Sequence, residues 1–217
     1  MLEVDIHSLQ HGDIEPLHGP SPDDSLSALR VVSARSAFWS ALYIATHSEV
    51  LLQAVVDIMV QVDVPRLETL TFGCTFLSSS YPRLFFQPPF LFRGQAPSLR
   101  TLDIMNAPFP WQLPTYFFHL DELRLLHVQR KDWCSANRLA FALSLSPTLH
   151  TLTLVGSGVE SPPDLTPFRL RALRNVHLVH GSTSIIHVLS LAEVPCLHHM
   201  TLTNIINTSC WSKLLSL

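Results

Sequence analysis

Leu149-His150-Thr151-Leu152-Thr153-Leu154 decides the fold, because its order of apolar and polar positions returns five more times along the chain. The six copies begin at Leu67, Leu99, Leu123, Leu149, Leu173 and Leu197 and read LETLTF, LRTLDI, LRLLHV, LHTLTL, LRNVHL and LHHMTL. They are spaced 32, 24, 26, 24 and 24 residues apart. In four of them a proline (Pro65, Pro97, Pro147, Pro195) stands two residues before the first leucine. A shared register of this kind is the mark of a repeated structural unit rather than of a generally apolar composition.

A period of roughly twenty to thirty residues built on L-x-x-L-x-L predicts a leucine-rich-repeat solenoid. Each unit supplies one short parallel strand and an arm that returns over one face of the sheet. The expected class is therefore α/β, with a curved parallel β-sheet and helical or irregular arms on its convex side. One domain is expected over 1–217, with degraded repeats and helices in 1–63 and six clearer repeats in 64–217.

Apolar residues make up 47% of the chain and charged residues 14%, against about 25% charged in ordinary soluble domains. There is ample material for a continuous core. The formal charge of −3 comes from 14 basic and 17 acidic residues that are scattered rather than blocked, which leaves no electrostatic footprint for nucleic acid or an anionic membrane. Cys74, Cys134, Cys196 and Cys210 form no C-x-x-C pair and suit a reducing compartment, cytoplasm or nucleus. The N-terminal stretch carries acidic residues and no cationic start before an apolar run, unlike a signal peptide. Asn207-Thr208-Ser209 fits a glycosylation sequon with no other sign of secretion.

Outside the six copies, Met1, Val4 and Ile6, then Leu29, Val32 and Ala34, match the one-four-six spacing loosely, with an exposed loop expected at His18–Ser25 between them. Residues 36–46 (SAFWSALYIAT) and 48–62 (SEVLLQAVVDIMVQV) read as helices. In the second, Ser48 is a candidate N-cap, and Gln53, Asp57 and Gln61 form a narrow polar stripe opposite a buried apolar face. Val64-Pro65 ends it. The aromatic runs Tyr81–Phe92, Phe109–Trp111 and Tyr116–Phe118 fall in two successive arms, where packing under the arm is expected to bury them. Ser135–Leu145 and Thr183–Glu193 read as helical arms, the latter capped by Thr183 or Ser184. Cys210–Leu217 reads as the start of a further arm with no capping repeat behind it, which predicts a fragment or a truncated gene product.

Stacked parallel strands bring equivalent positions into rows, so the third and fifth residues of each hexamer are expected to line one exposed face. The third-position row is Thr69, Thr101, Leu125, Thr151, Asn175 and His199; the fifth is Thr71, Asp103, His127, Thr153, His177 and Thr201. The second-position row at the margin is Glu68, Arg100, Arg124, His150, Arg174 and His198. Candidate protein-binding residues are Arg100, Asp103, Arg124, His127, Thr151, Thr153, Arg174, His177 and His199. The three arginines are the candidate anchors, because arginine is enriched at interface hot spots. The competing account is that half of each strand is polar simply because it faces water.

Nothing points to catalysis, a metal or a cofactor. Twelve histidines include His198-His199 near Cys196 and His127 with His177, but neither spacing is a ligand set. Gly156-Ser157-Gly158 lacks the surroundings of a nucleophile elbow, and there is no phosphate-binding glycine loop. Asp23, Asp24, Asp121 and Glu122 sit in loop-like stretches with no apolar setting to tune them for acid catalysis. The chain is expected not to be an enzyme.

The segments VPRLETLTF, APSLRTLDIMNAPFPW, LSPTLHTLTL and VPCLHHMTL resemble the C-terminal repeats of fungal F-box proteins, especially those expanded in mushrooms, over about residues 26–217. The resemblance implies the target-recognition part of a Skp, cullin and F-box ubiquitin ligase, in which the repeats hold a target protein. A Skp-type adaptor would bind only through an F-box outside this chain, since no L-P-x-E-type helix start is present. The Asn or Cys common at the ninth position of leucine-rich repeats is replaced here by Thr75, Ala107, Lys131, Ser157, Gly181 and Ile205, while Cys74, Asn106 and Asn204 stand one residue earlier. The alternative is a free-standing repeat scaffold or a truncated gene product with no ubiquitin role.

Overall fold

The structure is a computed structural model, and it describes residues 2–7, 22–46, 49–74, 91–107, 114–128, 135–159, 167–180 and 183–204. Within these the chain is α/β. Its strands are β1 (Leu2–His7), β2 (Trp39–Thr46), β3 (Thr69–Cys74), β4 (Thr101–Met105), β5 (Glu122–Leu126), β6 (Thr151–Val155), β7 (Phe168–Arg169), β8 (Asn175–Val179), β9 (Ala192–Glu193) and β10 (His199–Thr203). Its helices are α1 (Pro22–Ser33), α2 (Glu49–Met59), α3 (Ala136–Ser144) and α4 (Thr183–Ser190). Eight strands form one sheet in chain order, β1-β2-β3-β4-β5-β6-β8-β10, with every neighbouring pair parallel. The short strands β7 and β9 pair with each other outside it.

The hexamer explains each strand and how it is entered. Before the first position, the amide of that residue bonds back three residues to Val64, Ala96, Phe117, Ser146, Leu170 or Val194. The prolines at 65, 97, 147 and 195 occupy the second residue of those turns, where a fixed φ near −65° suits a β-turn. The second-position carbonyl then accepts two amides from the next strand: Glu68 O takes Arg100 and Thr101, Arg100 O takes Asp121 and Glu122, and the pattern continues to Arg174 O. Side chains alternate across the sheet from there. Positions one, four and six are buried in a continuous core from β2 to β8, as in Leu149, Leu152 and Leu154, and only half-buried at Leu197, Met200 and Leu202 of the last hexamer, while Thr151 and Thr153 are half-buried on the other face.

Each strand of the eight-stranded sheet from β4 onward is left by a residue with positive φ: Asn106 (46°), His127 (54°), Gly156 (57°), His180 (51°) and Asn204 (53°). Asparagine and glycine tolerate this left-handed geometry best. In the first four of these turns the amide donates to a carbonyl on the next strand: Leu126, Val155, Val179 and Thr203 respectively. The asparagines that stand one residue earlier than the usual repeat pattern are thus the turn residues. At Gly156 a Cβ would also lie 2.8 Å from His127 Nδ1. At Gly73 a Cβ would lie 2.0 Å from the carbonyl oxygen of Met105, so the approach of β4 to β3 requires glycine there.

Six sequence expectations are corrected. Residues 36–46 are not a helix: Ser36–Phe38 is a single 3-10 turn, and Trp39-Ser40-Ala41-Leu42-Tyr43-Ile44 is a further hexamer, with Trp39 in the first position at 0% exposure. Ala41 and Leu42 stand opposite Thr69 and Leu70. Leu29, Val32 and Ala34 are not a degraded repeat, since Pro22–Ser33 is α1. Its first turn also takes up Pro22–Ser25 of the expected loop, with Pro22 at the helix position that does not use its missing N–H.

The third hexamer begins at Leu120 rather than Leu123. Leu102 and Ile104 pair with Leu123 and Leu125, and the entering turn bonds Leu120 to Phe117. The segment Leu120–Val128 has leucine at 120, 123, 125 and 126, so LDELRL and LRLLHV both satisfy the pattern. Burying Leu125, at 4% exposure, selects the first. Glu122, read as part of a loop, lies in β5. Finally, α4 ends at Ser190, and Ala192–Glu193 is strand.

The other arms follow their local sequence. In α2 the polar stripe holds, with Gln53 Nε2 donating to Asp57 Oδ1 at 2.8 Å, while Leu51, Leu52, Val55 and Met59 are buried. Ser135 caps α3, its Oγ accepting from the Arg138 amide at 3.3 Å. Phe92, Tyr116 and Phe117 are buried under the arms as expected, and Phe118 is 43% exposed. The expected features at Ser48, Tyr81–Phe90, Phe109–Trp111 and 205–217, and at the Thr183 and Ser184 side chains, lie outside the described residues. Val4 and Ile6 stand opposite Leu42 and Ile44, and Met1 lies outside the described residues. No helix of the described residues is long and apolar enough to cross a membrane.

Candidate protein-binding face

The face of the sheet opposite the core carries the third and fifth positions of each strand. The register of β5 redistributes the predicted rows. The third-position row runs Ala41, Thr69, Thr101, Glu122, Thr151, Asn175, His199. The fifth runs Tyr43, Thr71, Asp103, Arg124, Thr153, His177, Thr201. Arg124 therefore moves from the margin to the middle of the face, Leu125 leaves it for the core, and His127 leaves it for the turn after β5, where it is exposed.

Asp103 and Arg124 are register neighbours at the centre. Arg124 Nε donates to Glu122 Oε1 at 2.8 Å, two residues back on the same strand. Asp103 Oδ1 is buried and has no hydrogen-bond partner. Partial burial raises the Asp103 carboxyl above its ordinary range; Arg124 opposes that shift and Glu122 adds to it. An under-satisfied carboxylate on an otherwise open surface suits an incoming hydrogen-bond donor.

At the margin Arg100 NH1 lies 3.6 Å from Asp121 Oδ2, and His150 Nδ1 lies 3.9 Å from Asp121 Oδ1. Asp121 thus sits between them in the second-position row, and of the three arginines proposed as anchors, Arg100 and Arg124 are paired to carboxylates. Exposed pairs of this kind contribute about 1 kcal/mol or less. Arg174 is exposed and has no side-chain partner among the described residues. Farther along the sheet, Asn175 Nδ2 donates to Thr151 Oγ1 at 3.3 Å. The rings of His177 and His199 lie 5.7 Å apart at 49°, and His199 Nε2 is 3.0 Å from Thr201 Oγ1.

The structure therefore brings Asp103, Arg124, Thr151, Thr153, His177 and His199 together on one face and puts Arg100 and Arg174 at its margin. Ala41, Tyr43 and Glu122 are face residues that sequence reasoning missed, and for Glu122 the leucine at 120 was the signal that would have found it. Ser157, between two glycines, is 3% exposed and tied into the backbone. Its Oγ accepts from the Val128 amide at 3.3 Å and lies 3.1 Å from the carbonyl oxygens of Leu125 and Val155. It works as a brace between β5 and β6. Among the described residues no group of three or more His, Cys, Asp or Glu side chains is placed to hold a metal ion. The arrangement offers hydrogen-bond donors and acceptors, two ion pairs and imidazoles for noncovalent recognition. No protein-family model, curated protein or solved structure matches the chain.

Proposed function

We propose that the chain is a noncatalytic protein-binding domain, built as a leucine-rich-repeat solenoid whose sheet forms the concave side and whose arms form the convex side. It serves as the target-recognition part of an F-box subunit of a ubiquitin ligase, in the cytoplasm or nucleus. The observation that carries this reading is the open face itself: in-register rows of polar side chains on a parallel sheet of consecutive strands, one side of which the core leaves uncovered. Solenoids use such extended surfaces to hold partners. The exposed free thiol of Cys196 fits a reducing compartment. The ubiquitin connection rests on the sequence resemblance and is an inference from architecture.

The test compares proteins retained from source-cell extract by the wild-type chain with those retained by Arg124→Glu, Thr153→Arg and, on α3, Arg138→Glu. Partners depleted at least tenfold by the two face variants and kept by Arg138→Glu support the reading; a set that ignores the face variants overturns it. The ligase role has its own arm. A purified Skp-type adaptor is expected to ignore the 217-residue chain and to bind the product of the complete transcript. If the complete product also fails to bind, the free-standing scaffold replaces the ligase reading.

A further inference from the structure

The two ends of the open face differ in charge. On β3, β4 and β5 the face and its margin carry Glu68, Asp103, Asp121 and Glu122, with Arg100 and Arg124 closed into pairs. On β6, β8 and β10 the second, third, fifth, seventh and eighth positions include no Asp or Glu. They hold one arginine and five histidines: His150, Arg174, His177, His180, His198 and His199. Three parallel strands span about 10 Å across and second to eighth positions about 20 Å along, room for roughly six residues of extended chain.

The hydrogen bonds of this patch engage some imidazole nitrogens and leave others to a partner. His198 Nδ1 lies 2.6 Å from the carbonyl oxygen of Cys196, so that nitrogen carries the hydrogen and Nε2 is open. His180 Nε2 is 3.4 Å from Asn204 Nδ2, and His177 stands beside His199 with Thr153 and Thr201 as its register neighbours. Arg174 lies between His150 and His198 in the second-position row. Among the described residues, the charged groups on the adjoining elements are Asp121 just before β5, Glu122 and Arg124 on β5, Arg138 on α3 and Arg171 in the turn before β8, while Arg169 and Glu193 pair with each other across β7 and β9. Only His150 has a carboxylate at hand, Asp121.

Resting on the protein-binding reading above, we propose that the β6-β8-β10 end of the face docks an acidic segment of a partner protein, with Arg174 as the charged anchor and the imidazole N–H groups as hydrogen-bond donors to its carboxylates. Charge complementarity selects this occupant. A nucleic acid backbone calls for more permanent positive charge than one arginine supplies.

The probe is a fluorescein-labelled hexaglutamate peptide, with hexaglutamine and a hexathymidine oligonucleotide as comparisons, read by fluorescence anisotropy at constant ionic strength. Hexaglutamate is expected to bind the wild-type chain at least tenfold more tightly than either comparison. Arg174→Glu and the double variant His177→Gln/His199→Gln lose that binding; Arg174→Gln weakens it; Arg138→Glu keeps it. Circular-dichroism melts confirm that each variant is folded. Equal affinity for hexaglutamate and hexaglutamine, binding that survives the patch variants, or preference for the oligonucleotide overturns the inference. Partner capture sensitive to Arg124→Glu alongside absent hexaglutamate binding would sink this inference alone, whereas hexaglutamate binding with no face-dependent capture would sink the broader reading alone.

Discussion

Asp103 lies where burial and charge act in opposite directions on one carboxyl. Burial raises its pKa, Arg124 lowers it and Glu122 raises it again, with a net upward shift from 3.8. A carboxyl whose pKa rises on folding holds its proton more readily in the folded chain, so stability is greatest below 3.8 and is lost as pH rises through the shifted value. Asp103→Asn is therefore expected to raise the melting temperature near neutral pH and to lose that advantage at about pH 3, where aspartate is protonated in both states. A gain of equal size at both pH values would place the effect elsewhere. Tyr116 is a second residue where burial decides the chemistry. Its hydroxyl donates to the carbonyl oxygen of Leu91, and burial pushes its pKa well up. Tyr116→Phe removes that donor and is expected to cost about 1 to 3 kcal/mol in urea denaturation.

At the scale of the element, the register of β5 fixes which leucines the core needs. Leu125→Ala is expected to cost about 2 to 5 kcal/mol as a large-to-small change in the core. Leu126→Ala, at a half-buried position on the other face, should stay within about 1 kcal/mol. Comparable denaturation midpoints for the two variants would contradict the register. The turns make a prediction of opposite sign. The turn Leu170–Leu173 has the backbone bond of its relatives but Arg171 where four of them have proline. Arg171→Pro is expected to stabilise the chain by about 0.4 to 1 kcal/mol by restricting the unfolded state, read as a higher urea midpoint. The proline-marked strands β3, β4, β6 and β10, together with β8, were legible in the sequence because leucine spacing and turn chemistry agreed there. They disagreed at β2 and β5. Trp39 in place of leucine, within an apolar run that also fits a helical period, hid β2, and a surplus of leucines without a proline left β5 with two admissible frames. Leu29, Val32 and Ala34 misled in the opposite direction, since Leu29 and Val32, three residues apart, also share one side of a helix, while Ala34 lies beyond its end and is exposed.

For the whole molecule, strands follow one another in chain order, every pair is parallel, and one face is covered while the other is open. That arrangement makes the candidate surface additive: each unit contributes a pair of outward side chains, and neighbouring units combine them. The rows were readable as soon as the hexamers were aligned. The charge polarity along them was not, because it required Arg124 and Glu122 to be placed together on the face and Asp121 beside Arg100 and His150. The central claim is that the open face, not the arms, meets the partner. Site-specific photo-crosslinking tests it most directly, with a benzophenone amino acid replacing Thr153 on the open face in one variant and Phe141, 57% exposed on α3, in the other. The account predicts partner adducts from position 153 and none from position 141; adducts from position 141 with none from position 153 would contradict it.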